Sequence, residues 1–232
     1  MIERMRIAAV LALATPLAAP AAETFYLTAA GGYSWAQMSK LSASHGDGFD
    51  FQTGSDQSEK HGAWRVGAGW FVLPRVALEL AYADYGKQSF AVQGVPSPAF
   101  VPEVLSEERR SERKVSAVTL DMVGHWPLRE HVTLIGRVGP AFGLVKTSGS
   151  IAAPGGFPFG SGAQSASFDA RARSWAFHAS GAVRWVDVLP TLDVEAALEY
   201  LGPVGTSFSG DNLDGTGRSR QTTVWLGLVK RF

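Results

Sequence analysis

The chain has 232 residues, of which 46% are hydrophobic, 18% are charged and none is Cys. Lys plus Arg and Asp plus Glu both total 21, so the formal net charge is zero, whereas a nucleic-acid binder is expected to show a basic face or tail. The absence of Cys excludes disulfide frameworks, thiolate zinc sites and thiol catalysis together.

In chain order the first element is an address. Met1 to Arg6 is a short basic start, and Ile7 to Ala14 is apolar but too short to cross a bilayer, which takes ~20 residues as a helix. Ala19-Pro20-Ala21 then fits a small-residue cleavage site. Residues 1–22 are expected to be a removable signal peptide and 23–232 the mature domain. No later stretch approaches the continuous apolar run of a membrane helix.

The mature chain alternates with period 2. Eight strands are predicted: Phe25–Trp35, Gly62–Val72, Val76–Tyr85, Val115–Trp126, Val132–Val145, Ser174–Val188, Thr191–Leu201 and Thr222–Phe232. Short turns at 73–75, 127–131 and 189–190 alternate with four long polar or Gly/Ser/Pro-rich loops, about 36–61, 86–114, 146–173 and 202–221. That rhythm predicts an all-β fold, an eight-stranded antiparallel up-and-down transmembrane β-barrel. Both chain ends then lie on the short-turn, periplasmic side. Within the loops, Phe90 to Phe100 and Ser148 to Ala163 read as Pro- and Gly-broken surface segments. Glu107 to Lys114 (EERRSERK) reads as a solvated loop base or a contact for anionic lipopolysaccharide.

One strand face is uncharged and ends in aromatic residues. Its two predicted girdles contain Trp35, Trp64, Tyr82, Trp175 and Tyr200 at the long-loop rim, and Trp70, Trp126 and Trp185 at the short-turn rim. The opposite face carries Arg65, Glu79, Asp121, Arg137, His178, Arg184, Asp193, Glu195 and Glu199, with His125. An eight-stranded barrel has an interior that side chains fill, so these charges must pair there. The expectation is one network joining the three arginines to the five carboxylates and plugging the lumen.

Four stretches, FYLTAAGGYSW at Phe25–Trp35, GAGWFVLPRVALELAYADYG at Gly67–Gly86, GHWPLREHVTLIGRVGPAFG at Gly124–Gly143 and TTVWLGLVKRF at Thr222–Phe232, resemble the OmpA/OmpX-like barrels of Gram-negative outer membranes. The resemblance implies residence in that membrane and a terminal aromatic, Phe232, read by the outer-membrane assembly machinery. Lys230 stands where such a strand usually has an apolar or aromatic residue. The chain is expected to be a barrel only, without the periplasmic peptidoglycan-binding domain of full-length OmpA proteins.

Chemistry is sparse. His178 and Ser180 share a strand face, and with Glu195 or Glu199 they are similar to the His-x-Ser and Glu set of PagL-type lipid A deacylases. Gly181 replaces the Asn of that pattern, and the phase points the pair into the lumen rather than at lipid. Asp211 to Gly215 lacks the spacing of a calcium loop and reads as a turn. No catalytic, metal or cofactor site is assigned, and no cofactor is expected. The expected protein is a monomer with a structural or surface-interaction role, in adhesion or envelope integrity. Its partners would be outer-membrane lipid, lipopolysaccharide and a host or environmental ligand at the loops, with no nucleic acid. A small channel and a lipid A-modifying hydrolase are the alternatives.

Overall fold

The computed structural model describes residues 24–38, 49–52, 60–96, 107–153, 164–205, 207–208, 215–216 and 219–232. Eight long strands form the wall: β1 Phe25–Met38, β2 Lys60–Leu73, β3 Val76–Pro96, β4 Glu107–Arg129, β5 Val132–Ala153, β6 Gln164–Leu189, β7 Leu192–Val204 and β8 Ser219–Arg231. Each pairs antiparallel with its sequence neighbours, and β8 pairs with β1 from Tyr26↔Arg231 to Met38↔Ser219, so the sheet closes. Closure removes both sheet edges, which is the condition for a sheet to cross a bilayer. The predicted signal peptide lies outside the described residues.

The period-2 pattern becomes two faces. Leu78, Leu80, Val118, Leu120, Met122, Phe177, Leu198, Leu226 and Leu228 point outward and are exposed, and no charged side chain interrupts them. Trp64, Trp70, Trp126, Trp175, Trp185 and Tyr200 are exposed at the band's ends, while Trp35 and Tyr82 are half-buried. Trp64 packs on Tyr82 and Phe142 on Trp175, both with ring centroids 5.3 Å apart. Phe25 meets Phe232 at 5.9 Å on the opposite rim. In water such a surface would drive aggregation, whereas against hydrocarbon it is the expected exterior.

The two-residue turns at 74–75, 130–131 and 190–191 lie on the short-turn side. On the other side, the sequence reading stopped four strands too early. β3, β4, β5 and β6 run 21, 23, 22 and 26 residues, into the segments read as loops, and they stay paired out to Gly94↔Glu107, Glu108↔Ala152 and Ala153↔Gln164. Phe90–Pro96 and Glu107–Lys114 are therefore strand rather than broken loop or loop base. Phe49–Gln52 adds a short strand along the end of β3, from Phe49↔Pro96 to Gln52↔Gln93. From Trp175 to the start of β6 the extension is eleven residues, roughly 36 Å along the strand. β1, β2, β7 and β8 end much nearer the rim. Four strands thus rise as a sheet above one side of the barrel.

The step from wall to sheet is marked on β3. A bulge falls between Asp84 and Lys87, where Gly86 takes φ 82 and its N–H donates to Asp84 Oδ1 at 3.0 Å. A side chain would be strained at that φ, and its Cβ would lie 2.6 Å from the Gly62 carbonyl oxygen.

Candidate functional site

The inward face contains the ionisable residues read from the sequence, and all of them are buried. Each reaches the interior because it alternates with a lipid-facing neighbour: Glu79 between Leu78 and Leu80, Asp121 between Leu120 and Met122, Arg184 between Val183 and Trp185. Arg65 and Arg137 are the central cations. Arg65 reaches Glu79 Oε1 at 2.8 Å, Glu199 Oε2 at 3.0 Å and Asp121 Oδ2 at 3.5 Å. Arg137 bridges Glu79 at 3.2 Å and Glu195 at 2.8 Å, and Arg184 binds Glu195 through Nε and Nη2 at 3.0 and 2.8 Å.

His178 sits between two carboxylates, with Nδ1 2.7 Å from Asp121 Oδ1 and Nε2 3.1 Å from Glu199 Oε2. Ionised carboxylates only accept hydrogen bonds, so a ring facing one on each side is suited to the imidazolium form. The cluster then holds four cations, Arg65, Arg137, Arg184 and His178, against four anions, Glu79, Asp121, Glu195 and Glu199. Charge balance inside a narrow apolar wall avoids the penalty of several kcal/mol attached to an unpaired buried ion.

Asp193 does not join this cluster. Its Oδ1 accepts from the Asp187 N–H at 2.9 Å, and its Oδ2 lies 3.1 Å from Arg231 Nε, while Arg231 Nη2 also binds Asp187. The reason is position: Asp193 follows the β7 start by one residue, at the turn end of the barrel, and there it clasps the β6–β7 turn to β8. Lys230 is accommodated alongside, with Nζ donating to Thr191 Oγ1 and lying 6.0 Å from the Phe232 ring centroid. The Phe232 N–H donates to the Phe25 carbonyl at 3.0 Å.

The sequence reading missed several interior side chains. Tyr26 donates to Glu79 Oε2 at 2.8 Å, Tyr85 to Glu199 Oε1 at 2.7 Å, and Thr119 to Asp121 Oδ2 at 2.9 Å. Tyr85 also stacks on Trp225 at 6.2 Å. The Tyr26 ring lies so close over Gly69 that a Cβ there would fall 2.0 Å from it. Toward the turns, His125 packs on Phe71 at 4.8 Å and Tyr26 at 6.1 Å, with Arg184 over the Tyr26 ring at 5.4 Å.

Little space is left. A cavity of about 20 Å³, lined by Thr28, Arg65, Glu79, Arg137, Glu195 and Trp225 among others, is the size of one water molecule. The His178, Ser180 and glutamate set does not form a nucleophile and base pair. Both His178 nitrogens face acids, Glu195 is held by two arginines, and Ser180 Oγ is buried without a hydrogen-bond partner. Among the described residues no group of three or more His, Asp or Glu side chains is placed to hold a metal ion.

Residues 20–232 match the family model of the OmpA-like transmembrane domain. The chain belongs to this family. It is accordingly an integral β-barrel of the Gram-negative outer membrane. Similar solved structures include Neisserial surface protein A, 14% identical, covering 90% of this chain and 97% of that one at a TM-score of 0.44. Ail, the attachment invasion locus protein of Yersinia pestis, solved with the heparin analogue sucrose octasulfate, is 16% identical, with 90% and 99% covered and a TM-score of 0.43. OprG of Pseudomonas aeruginosa is 10% identical, with 90% and 96% covered and a TM-score of 0.48. No curated protein sequence matches significantly.

Proposed function

We propose that this OmpA-like barrel is a non-conducting, non-enzymatic surface element of the outer membrane, acting in adhesion or envelope integrity through its extracellular side. The observation that carries this reading is the division of labour along the strands. Inside the membrane the lumen is filled by paired charges, and above it β3–β6 continue as a sheet with a charged outer face. On that face Lys87↔Lys114, Lys114↔Lys146 and Lys146↔Arg171 are direct cross-strand partners, forming one lateral row of cations. Like charges placed opposite one another repel. Asp84 at 2.7 Å from Lys114, Glu112 at 3.4 Å from Lys87 and Asp169 at 3.5 Å from Lys146 offset part of that repulsion. A phosphate-rich lipopolysaccharide surface would offset the rest, which supports lipopolysaccharide as the lateral partner. The protein is read as a monomer assembled through Phe232, with a host or environmental ligand at the loops.

Planar-bilayer recording tests the reading most directly. The purified protein is expected to give no steady single-channel current, and a reproducible ohmic step would favour the channel instead. Lipid A mass spectra of cells with and without the protein are expected to match, and a lost acyl chain would favour the hydrolase.

A further inference from the structure

The outward face of β6 is ordered by height. Phe177, Trp175, Arg173, Arg171 and Asp169 alternate outward along the strand, so apolar, aromatic and charged side chains follow one another in a single column. Trp175 is 73% exposed, more than any other large hydrophobic side chain among the described residues, and Phe142 meets it edge-on. Successive outward residues lie about 6.7 Å apart along a strand. With a tilt of about 40°, Arg173 and Arg171 stand roughly 5 and 10 Å above Trp175. The headgroup layer on one side of a bilayer is roughly 5–8 Å deep, so one guanidinium lies in it and the other at its outer boundary.

These two cations differ from their neighbours. Lys87, Lys114 and Lys146 each have an acid within reach, Glu112 at 3.4 Å, Asp84 at 2.7 Å and Asp169 at 3.5 Å. Arg171 and Arg173 are exposed, and among the described residues neither has an acid partner. Their direct cross-strand neighbours on β5 are Lys146 and Leu144, which offer no carboxylate. On its other side β6 pairs with β7 only from His178 toward the turn, so no described strand pairs beside Arg173 or Arg171 there. The outer patch therefore carries two positive charges in excess, and both lie on β6 directly above the exposed indole.

We infer that Arg171 and Arg173, with Trp175 beneath them, form a site for the phosphorylated sugar of a single lipid A molecule. The inference rests on the reading of lipopolysaccharide as the lateral partner. Each part of the column meets one part of that lipid. Phe177 lies against acyl chains, the exposed indole takes the apolar face of the sugar ring, and the two guanidiniums present planar forks of donors to phosphate. An anionic phospholipid supplies a phosphate but no sugar ring at the height of Trp175. The rest of the cation row lacks this combination. Its lysines are already paired, and the girdle positions below it on β3 and β4 are Tyr82, half-buried against Trp64, and Val118. One lipid A per barrel follows.

The test is native mass spectrometry of the chain folded in detergent and titrated with diphosphoryl lipid A or with phosphatidylglycerol. One lipid A is expected to be retained per barrel, at a lower concentration than phosphatidylglycerol requires. The folded double variant Arg171→Gln, Arg173→Gln should bind lipid A about tenfold or more weakly, the loss expected for two cations beside an anionic lipid surface. Trp175→Leu, which keeps both cations and an apolar side chain, should weaken lipid A binding and leave phosphatidylglycerol unchanged. Arg220→Gln removes an exposed cation from β8 and should change neither. The site is overturned if the double variant or Trp175→Leu retains lipid A like the parent chain, or if Arg220→Gln loses it equally. In those cases lipopolysaccharide still stands as the lateral partner. If the parent chain retains lipid A no better than phosphatidylglycerol, the partner and the site fall together.

Discussion

The lumen and the protruding sheet are built from the same residue types and obey different rules. Within the membrane Arg65 touches three carboxylates and Glu79 is held by Arg65, Arg137 and Tyr26, so each ion is shared and none is left alone. Above it, Lys87, Lys114 and Lys146 each have one acid, at 2.7–3.5 Å, and their side chains are roughly half or more exposed. The difference lies in the solvent. A side chain enclosed by a hydrocarbon-facing wall has only protein to answer its charge, while one in water has an alternative partner at all times.

The sharpest way to break the comparison is Glu79→Leu, which leaves Arg65, Arg137 and the Tyr26 hydroxyl without their shared acceptor. Removing one member of a buried ion pair costs about 3–5 kcal/mol, so urea unfolding in lipid vesicles should shift strongly or the barrel should fail to form. Next in size is the outer face. Leu120→Arg places a cation in the apolar band, and about 2–4 kcal/mol of destabilisation is expected near the midplane, read in the same titration. At the small end, Lys146→Met removes one exposed pair with Asp169 and should cost about 1 kcal/mol or less. A Lys146→Met loss as large as that from Glu79→Leu would erase the distinction between the two regions.

Much of this was legible in the alternation. Uncharged series such as Leu78, Leu80 and Tyr82 mark a face that meets something other than water, and Glu79 between them therefore points inward. Tyr26, Tyr85 and Trp225 were missed because aromatic residues were sought at the girdles. Their phase already placed them inside: Tyr26 follows Phe25, Tyr85 continues Glu79, Ala81 and Ala83, and Trp225 lies between Val224 and Leu226. The protruding sheet was missed for a different reason. Above the girdle neither face needs to be greasy, so the pattern weakens to Ser167, Asp169, Arg171 and Arg173 alternating with Phe168, Ala170 and Ala172. That is still period 2, but composed of residues that also make loops.

The seam between β1 and β8 has its own consequence for how the molecule is made. It joins the first strand to the last, Tyr26 to Arg231, and is tied off by the Phe232 N–H on the Phe25 carbonyl and by the Arg231 clasp on Asp187 and Asp193. A nascent chain lacking its final dozen residues would present two raw edges, each a ladder of unsatisfied amides with no water in the hydrocarbon to quench them. Partial insertion would therefore leave those amides unanswered until the last strand meets the first, a pairing between the two ends of the mature wall.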